Sequence, residues 1–243
     1  MWILFYILVC VYLLNMDIIK NYKFKRWCIL NGINVYKVDI GVRHGMRGLY
    51  ATEHINKGDL LVEVPIDSCI YVETEPNLSM DIQDLELACK VMKFDSPDSK
   101  YKGYIDHMPQ HVNVISHWSD EEIHKINYPP AFELRNKQIL EDSKYPSYLR
   151  RYLDLVRSRR IIFRQNDYDL LMMIPVIDLI NHGNTESSST PKFGFDIEII
   201  DNVVKMYSPH TYTKNSEILI SYGDSHSSYE STSHHLCRHG IFV

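Results

Sequence analysis

The most informative segment of this chain is an apolar run that ends in polar side chains: Met173-Ile174-Pro175-Val176-Ile177-Asp178-Leu179-Ile180-Asn181-His182. An ordinary core would exclude the asparagine and the histidine at its end. A buried amide or imidazole costs about 1–3 kcal/mol unless it has a partner. A second run of the same kind, Glu217-Ile218-Leu219-Ile220-Ser221-Tyr222-Gly223, follows later in the chain. We therefore expect a ligand to contact these two segments.

Composition limits the classes of protein that the chain can belong to. It has 243 residues, of which 45% are hydrophobic and 23% charged, and its net charge is −5. This is a normal globular composition, and the negative charge argues against a direct nucleic-acid partner. The five cysteines form no CxxC pair, so we expect neither a zinc site nor a disulfide framework, and we expect a cytoplasmic or nuclear protein. The histidines near the carboxy terminus lack metal-ligand spacing, so no metal is predicted.

The amino terminus begins with fourteen apolar residues, 1–14. This run is too short for a membrane span of roughly 20 residues. Three interpretations stay open: a signal-like or membrane-anchoring segment, an extension upstream of a start at Met16, and a buried helix. Basic residues follow at Lys20, Lys23, Lys25 and Arg26, and they would hold that flank in the cytosol. Membrane association is expected only through residues 1–14, and residues 1–15 are treated as a separate segment.

The first third of the chain predicts one helix and a small β-meander. A helix is expected around Phe24–Leu30, ended by Asn31-Gly32. Strands are expected at 38–40 and 49–51, separated by residues 41–48, which contain the turn Gly45-Met46-Arg47. Asn56-Lys57-Gly58 predicts a tight turn before a strand that Pro65 ends.

The rest of the chain predicts helices followed by strands. Helical spacing predicts helices around residues 85–92 and at Tyr148–Phe163, and Ser119-Asp120-Glu121-Glu122 predicts a capping box. Strands are expected at Phe193–Ile200 and Val203–Tyr207, joined by a turn at Asp201-Asn202. Helices inserted between two groups of short strands indicate an α+β fold, with a helical insertion at about residues 80–165.

Four motifs, in this order, resemble a SET domain. The first comprises residues 47–52 and 55–65, and the second comprises Tyr101–Pro109, His117–Glu122 and Val156–Arg159 in the helical region. The third is Asp178–His182, and the fourth is Ile220–Gly223. The resemblance covers residues 24–242 and is closest to the subgroup of Rubisco lysine methyltransferases and the actin histidine methyltransferase. It implies a SET-domain β-fold of short strands and small sheets with an inserted helical region. It also implies an S-adenosyl-L-methionine-dependent enzyme that N-methylates a lysine of a protein substrate.

The resemblance also implies which residues form the site. Tyr222 is the expected catalytic residue, because its hydroxyl would lie at the end of an apolar channel that favours a neutral lysine amine. Arg159 matches an arginine directed at the cofactor carboxylate. The expected cofactor-binding residues are Gly45, Met46, Arg47, Arg159, Asp178, Asn181, His182, His239, Gly240 and Ile241.

Simpler interpretations exist for each of these residues. Asn181-His182 could cap a strand, and Tyr222 could pack on the core. Arg157, Arg159 and Arg160 could form a solvated helix face, which is the interpretation we favour for Arg157 and Arg160.

The sequence also departs from the family pattern after Tyr222-Gly223. Residues 224–235 are longer than usual and lack the expected asparagine, and we expect no carboxy-terminal substrate-binding domain. A SET-fold binding or scaffold protein without activity is therefore the second hypothesis. A histidine acceptor also stays open, although Ile161, aligned with the acceptor pocket, favours lysine.

Overall fold

The computed structural model describes residues 18–43, 46–164, 167–182 and 196–220. The helices are α1 (residues 18–30), α2 (Met80–Phe94), α3 (Lys102–His107), α4 (Asp120–Lys125), α5 (Ala131–Ser143) and α6 (Ser147–Arg159). The strands are β1 (Asn34–Val35), β2 (Val38–Arg43), β3 (Met46–Ala51), β4 (Leu60–Pro65), β5 (Ile70–Thr74), β6 (Ile161–Arg164), β7 (Asp169–Met173), β8 (Asn181–His182), β9 (Asp196–Ile200), β10 (Val203–Tyr207) and β11 (Glu217–Ile220). Short 3₁₀ turns occupy Ile66–Ser68, Ile115–His117 and Ile177–Leu179.

Within the described residues, the strands form three small sheets, with the orders β1-β4-β10-β9, β2-β3-β11-β8 and β5-β7-β6. Together with the helices between β5 and β6, they confirm the predicted α+β class. Their pairings are antiparallel except for β11 with β8, which run parallel. This parallel pair aligns Leu219 with Asn181 and Ile220 with His182. The two apolar runs that the sequence singles out therefore lie side by side.

One main hydrophobic core joins the sheets to α1, α2, α3 and α6. Strand β7 is the central strand of its sheet and is buried along its whole length. The inward side of α1 contributes Phe24 and Cys28, and the helix ends before Gly32, whose φ of +71° is the left-handed conformation typical of a helix stop. Ile115, Ile123 and Ala131 form a second, smaller cluster within the inserted helices.

Several local predictions are confirmed. Ser119 caps α4, since its hydroxyl accepts from the Glu122 amide at 3.3 Å while the Glu122 carboxylate accepts from the Ser119 amide at 2.8 Å. Asp201 and Asn202 both have positive φ, which the β9–β10 hairpin turn requires. Gly58 has a φ of +84° in the turn before β4, which ends at Pro65 as expected.

Two boundaries differ from the prediction. The β2–β3 ladder extends to the pairs Val42 with Arg47 and Arg43 with Met46, so Met46 and Arg47 lie in a strand and not in a turn. Helix α6 ends at Arg159, and Ile161–Arg164 is a strand paired with β7. In both places, tertiary pairing with a neighbouring strand outweighs the local pattern.

Within the described ranges, no helix is long and apolar enough to cross a bilayer.

Candidate functional site

Strands β3, β8 and β11 meet at Asn181. Its side-chain amide donates to the Arg47 carbonyl oxygen at 2.9 Å and to Glu217 Oε1 at 2.7 Å. Both N–H groups are thus committed to the fold. Among the residues that the structure describes, none donates a hydrogen bond to the amide oxygen Oδ1.

Gly48 makes this arrangement possible. A Cβ placed there would lie 2.6 Å from Glu217 Oε1 and 2.9 Å from Asn181 Nδ2, both too close for a real contact. The absence of a side chain on β3 therefore leaves room for the Asn181–Glu217 pair.

Asp178 is a buried carboxylate in the turn just before Asn181. Its Oδ2 accepts from the Tyr104 hydroxyl at 2.7 Å, whereas Oδ1 has no partner among the residues that the structure describes. Burial raises the pKa of this carboxyl to about 6, although the positive charges of Arg159 and Arg47 and the Tyr104 hydrogen bond act in the opposite direction. A buried carboxylate with an unsatisfied oxygen is a costly group, and such groups concentrate at functional sites.

Arg159 reaches the same place from the end of α6. One terminal nitrogen donates to the Asp178 carbonyl oxygen at 2.8 Å, and its buried Nε has no partner among the described residues. Because one terminal nitrogen is held by the Asp178 carbonyl and Nε is still available as a donor, this guanidinium is suited to bind a carboxylate.

The interpretation of Arg157 and Arg160 as part of a solvated helix face is wrong. Arg157 pairs with Asp142 at 2.6 Å, and Arg160 pairs with Asp84, whose side chain is fully buried. Helical spacing alone could not show this, because the acidic partners come from α2 and α5. Arg157 and Arg160 hold the inserted helices together, while Arg159 points to the Asp178 turn.

Arg47 and His107 complete the polar cluster that contains Asp178, Asn181 and Arg159. Arg47 donates to the His107 carbonyl oxygen at 2.7 Å, and one of its terminal nitrogens lies 3.3 Å from His107 Nε2. His107 stacks on Phe24 with ring centroids 3.9 Å apart. Burial, with help from the nearby positive charge of Arg47, lowers the pKa of His107 to about 3, so the imidazole is neutral near pH 7.

Sequence reasoning did not assign Tyr104, His107 or Glu217 to the site. All three lie inside the quoted segments: Tyr104 and His107 within residues 101–109, and Glu217 at the start of the second apolar run. A polar residue flanking a buried run was the available signal. Their hydrogen-bond partners are distant in the sequence: Asp178 lies 74 residues from Tyr104, and Asn181 lies 36 residues from Glu217.

The backbone just before Asp178 is strained. Val176 is fully buried and has a φ of +73°, a conformation that β-branched residues rarely adopt. Strain of this kind costs about 1–3 kcal/mol and persists only where the surroundings enforce it. Here it turns the chain out of β7 and into the 3₁₀ turn that carries Asp178.

Of the residues predicted for the site, the structure brings together Arg47, Arg159, Asp178 and Asn181. Met46 and His182 are described only by their strand backbones. Gly45, Tyr222, His239, Gly240 and Ile241 lie outside the described residues.

Two other features of the described ranges lie apart from this cluster. A cavity of about 430 Å³ lies on the β2–β3 hairpin beside Lys214 and Asn215, and it includes none of the predicted site residues. Within the same ranges, no three histidine, cysteine or acidic side chains are placed to hold a metal ion.

Comparison with known proteins identifies the class. The SET domain family matches residues 46–223, and the chain therefore belongs to this family. No curated protein sequence matches the chain significantly.

Solved structures give the more particular likeness. The SET domain of LSMT bound to lysine and AdoHcy superimposes with a TM-score of 0.65 at 19% identity, covering 92% of this chain and 57% of that one. Rubisco LSMT bound to AdoMet gives a TM-score of 0.64 at 20% identity, covering 92% of this chain and 56% of that one. Rubisco LSMT bound to sinefungin and monomethyllysine gives 0.65 at 19%, with the same coverages of 92% and 56%. The chain thus spans just over half the length of these structures, which share its fold.

Proposed function

We propose that this chain is an S-adenosylmethionine-dependent protein methyltransferase whose acceptor is a lysine side chain. Its membership of the SET domain family supports this activity. The observation that carries the proposal is the polar cluster at the junction of β3, β8 and β11. It combines a cation, a buried carboxylate and an amide acceptor, each with a polar atom unused by the described residues.

The chemistry of this cluster fits the amino-acid end of S-adenosylmethionine, which bears a carboxylate and an ammonium group. The Nε of Arg159 would pair with the carboxylate. The Asn181 amide oxygen and Asp178 Oδ1 are acceptors, as an ammonium requires. A buried donor such as Arg159 Nε and a buried acceptor such as Asp178 Oδ1 cost free energy when they lack partners, and a ligand that carries both a carboxylate and an ammonium group can pair with both.

The second part of the mechanism concerns the acceptor nitrogen. When bound, S-adenosylmethionine supplies a methyl group on a positively charged sulfur. A lysine has a free pKa of about 10.4, so the site must favour its neutral form. An apolar channel does so by penalising the ammonium, and the Tyr222 hydroxyl is proposed to orient the neutral amine.

Lysine is proposed over histidine because of the residues after Arg159. Arg160 forms an ion pair with buried Asp84, so it is not the polar side chain that a histidine would need in the acceptor pocket. The neighbouring candidates, Ile161 and Ile162, are half-buried and pack against the main core. An apolar wall suits the stem of a lysine and leaves an imidazole nitrogen without a partner.

The first experiment measures binding of S-adenosylmethionine by calorimetry. Asn181→Ala should weaken affinity by about 10- to 100-fold, the equivalent of about 1–3 kcal/mol for a lost partner of a charged ligand. Asn34→Ala is the matched control, because this amide also donates to a glutamate, Glu63, at 3.4 Å on the exposed side of the fold. Equal affinities for the Asn181 and Asn34 variants would remove Asn181 from the site.

The second experiment identifies the acceptor by mass spectrometry of cell-lysate proteins after incubation with the enzyme and S-adenosylmethionine. New methyl groups are expected on lysine side chains. Methyl groups found only on histidine would exclude lysine as the acceptor, although the chain would still be a protein methyltransferase.

A binding or scaffold protein is the second candidate, favoured by the altered sequence of residues 224–235. A chain with no measurable affinity for S-adenosylmethionine would support it.

A further inference from the structure

Helix α1 has an unusual outer face. Phe24 and Cys28 point into the core. The opposite side exposes five large apolar residues, Ile18, Ile19, Tyr22, Ile29 and Leu30. Ile29 and Leu30 are each 75% exposed. A surface helix normally places polar residues there, so five exposed apolar side chains, in two groups at the start and the end of the helix, mark a contact site.

The charges on α1 have one sign. Residues 18–30 contain no acidic side chain. Lys23 and Arg26 are exposed on the same helix as these apolar residues, whereas Lys25 pairs with Asp39 at 2.6 Å. The chain as a whole has a net charge of −5, so this helix is a local basic region on an acidic protein. Exposed apolar side chains together with lysine and arginine are typical of helices that lie on anionic membranes.

The sequence before α1 strengthens the same pattern. Residues 1–14, which precede the helix in the sequence, are all apolar. Fourteen residues are fewer than the roughly 20 that a transmembrane helix needs. A segment of this length is better matched to the interface of a bilayer than to its full thickness.

We propose that the outer face of α1 is a membrane-docking surface that binds an anionic lipid bilayer. Ile29 and Leu30, with Ile18, Ile19 and Tyr22, would enter the headgroup region, and Lys23 and Arg26 would contact acidic lipid headgroups. Docking would hold the protein at a membrane and leave the polar cluster around Asn181 unchanged. The inference is independent of the methyltransferase activity.

The test is flotation of the full chain, which is synthesised in the presence of lipid vesicles. One set of vesicles contains phosphatidylcholine alone, and the other contains phosphatidylcholine with about 30% of the anionic lipid phosphatidylserine. The full chain should float with the anionic vesicles. Ile29→Ser with Leu30→Ser should reduce the bound-to-free ratio by about tenfold or more. Lys23→Glu with Arg26→Glu should cause a similar loss on anionic vesicles and little change on neutral ones.

The matched control is Ile139→Ser with Leu140→Ser on α5, where the two side chains are 45% and 64% exposed. This variant should float like the wild type. Equal flotation of the α1 and α5 variants would assign any membrane binding to residues 1–14 and overturn the proposal. Self-association that depends on Ile29 and Leu30 without vesicles, seen by light scattering, would assign the face to a second copy of the chain and overturn it as well.

Discussion

The buried carboxylate of Asp178 should make the stability of the protein depend on pH in a specific way. Burial raises its pKa from 3.8 to about 6 in the folded state. Below pH 3.8 the carboxyl is protonated in both states and contributes no pH dependence. Between pH 3.8 and 6 the unfolded chain ionises first, so stability falls as the pH rises. Above pH 6 the penalty is constant.

The size of this penalty follows from the pKa values. Each pKa unit corresponds to about 1.4 kcal/mol, so the rise at Asp178 costs about 3 kcal/mol at pH 7. Most of that cost, about 2–3 kcal/mol, develops between pH 4 and pH 7. Asp178→Asn keeps an acceptor for the Tyr104 hydroxyl and removes the charge. The unfolding free energy of this variant, relative to the wild type, should therefore increase by about 2–3 kcal/mol over that pH interval.

The measurement is urea denaturation of both proteins at a series of pH values without cofactor. Taking the difference between variant and wild type cancels the titration of groups that the substitution leaves unchanged. Asp154 provides a positive control on α6, where burial also raises the pKa to about 6 and His117 Nε2 lies 3.3 Å away. Asp154→Asn should show the same direction of change, but only Asp178→Asn should weaken S-adenosylmethionine binding.

Parallel stability curves for Asp178→Asn and the wild type would refute the reasoning, because they would show that Asp178 has the same pKa in the folded and unfolded states. If Asp178→Asn gains unfolding free energy relative to the wild type as the pH rises but keeps its cofactor affinity, the electrostatic argument holds and Asp178 is not part of the binding site.

Three further predictions concern other parts of the chain. Gly48→Ala should displace Glu217 from Asn181, destabilise the fold by about 1–3 kcal/mol and weaken cofactor affinity, whereas a wild-type denaturation midpoint would contradict the steric role of Gly48. Tyr222→Phe should lower turnover by on the order of 10²-fold with nearly unchanged cofactor affinity, as expected for a transition-state contact; unchanged turnover would place the catalytic hydroxyl elsewhere. Removal of residues 1–15 should leave a soluble chain with a cooperative unfolding transition, and aggregation of the shortened chain alone would assign those residues to the core.

Local sequence rules predicted much of the fold where the determining contacts are close in the chain. The capping box at Ser119, the hairpin turn at Asp201-Asn202 and the end of β4 at Pro65 depend on residues a few positions apart. The end of α6 was placed too late, because Ile161 belongs to a strand only through its pairing with Met172 of β7. Met46 and Arg47 were assigned to a turn for the same reason, since their strand pairing is with β2.

The site shows the same division. The sequence by itself determined that Asn181 and His182 end an apolar run, because an amide or imidazole there is costly without a partner, and the family resemblance added Asp178. Only the tertiary structure decided what those partners are: Tyr104 for Asp178, and Glu217 with the Arg47 backbone for Asn181. It also separated Arg159 from the neighbouring arginines that are committed to buried ion pairs. Periodicity indicates which residues are buried, whereas the hydrogen bonds and charges that a buried polar group meets come from distant strands and helices, which only folding brings together.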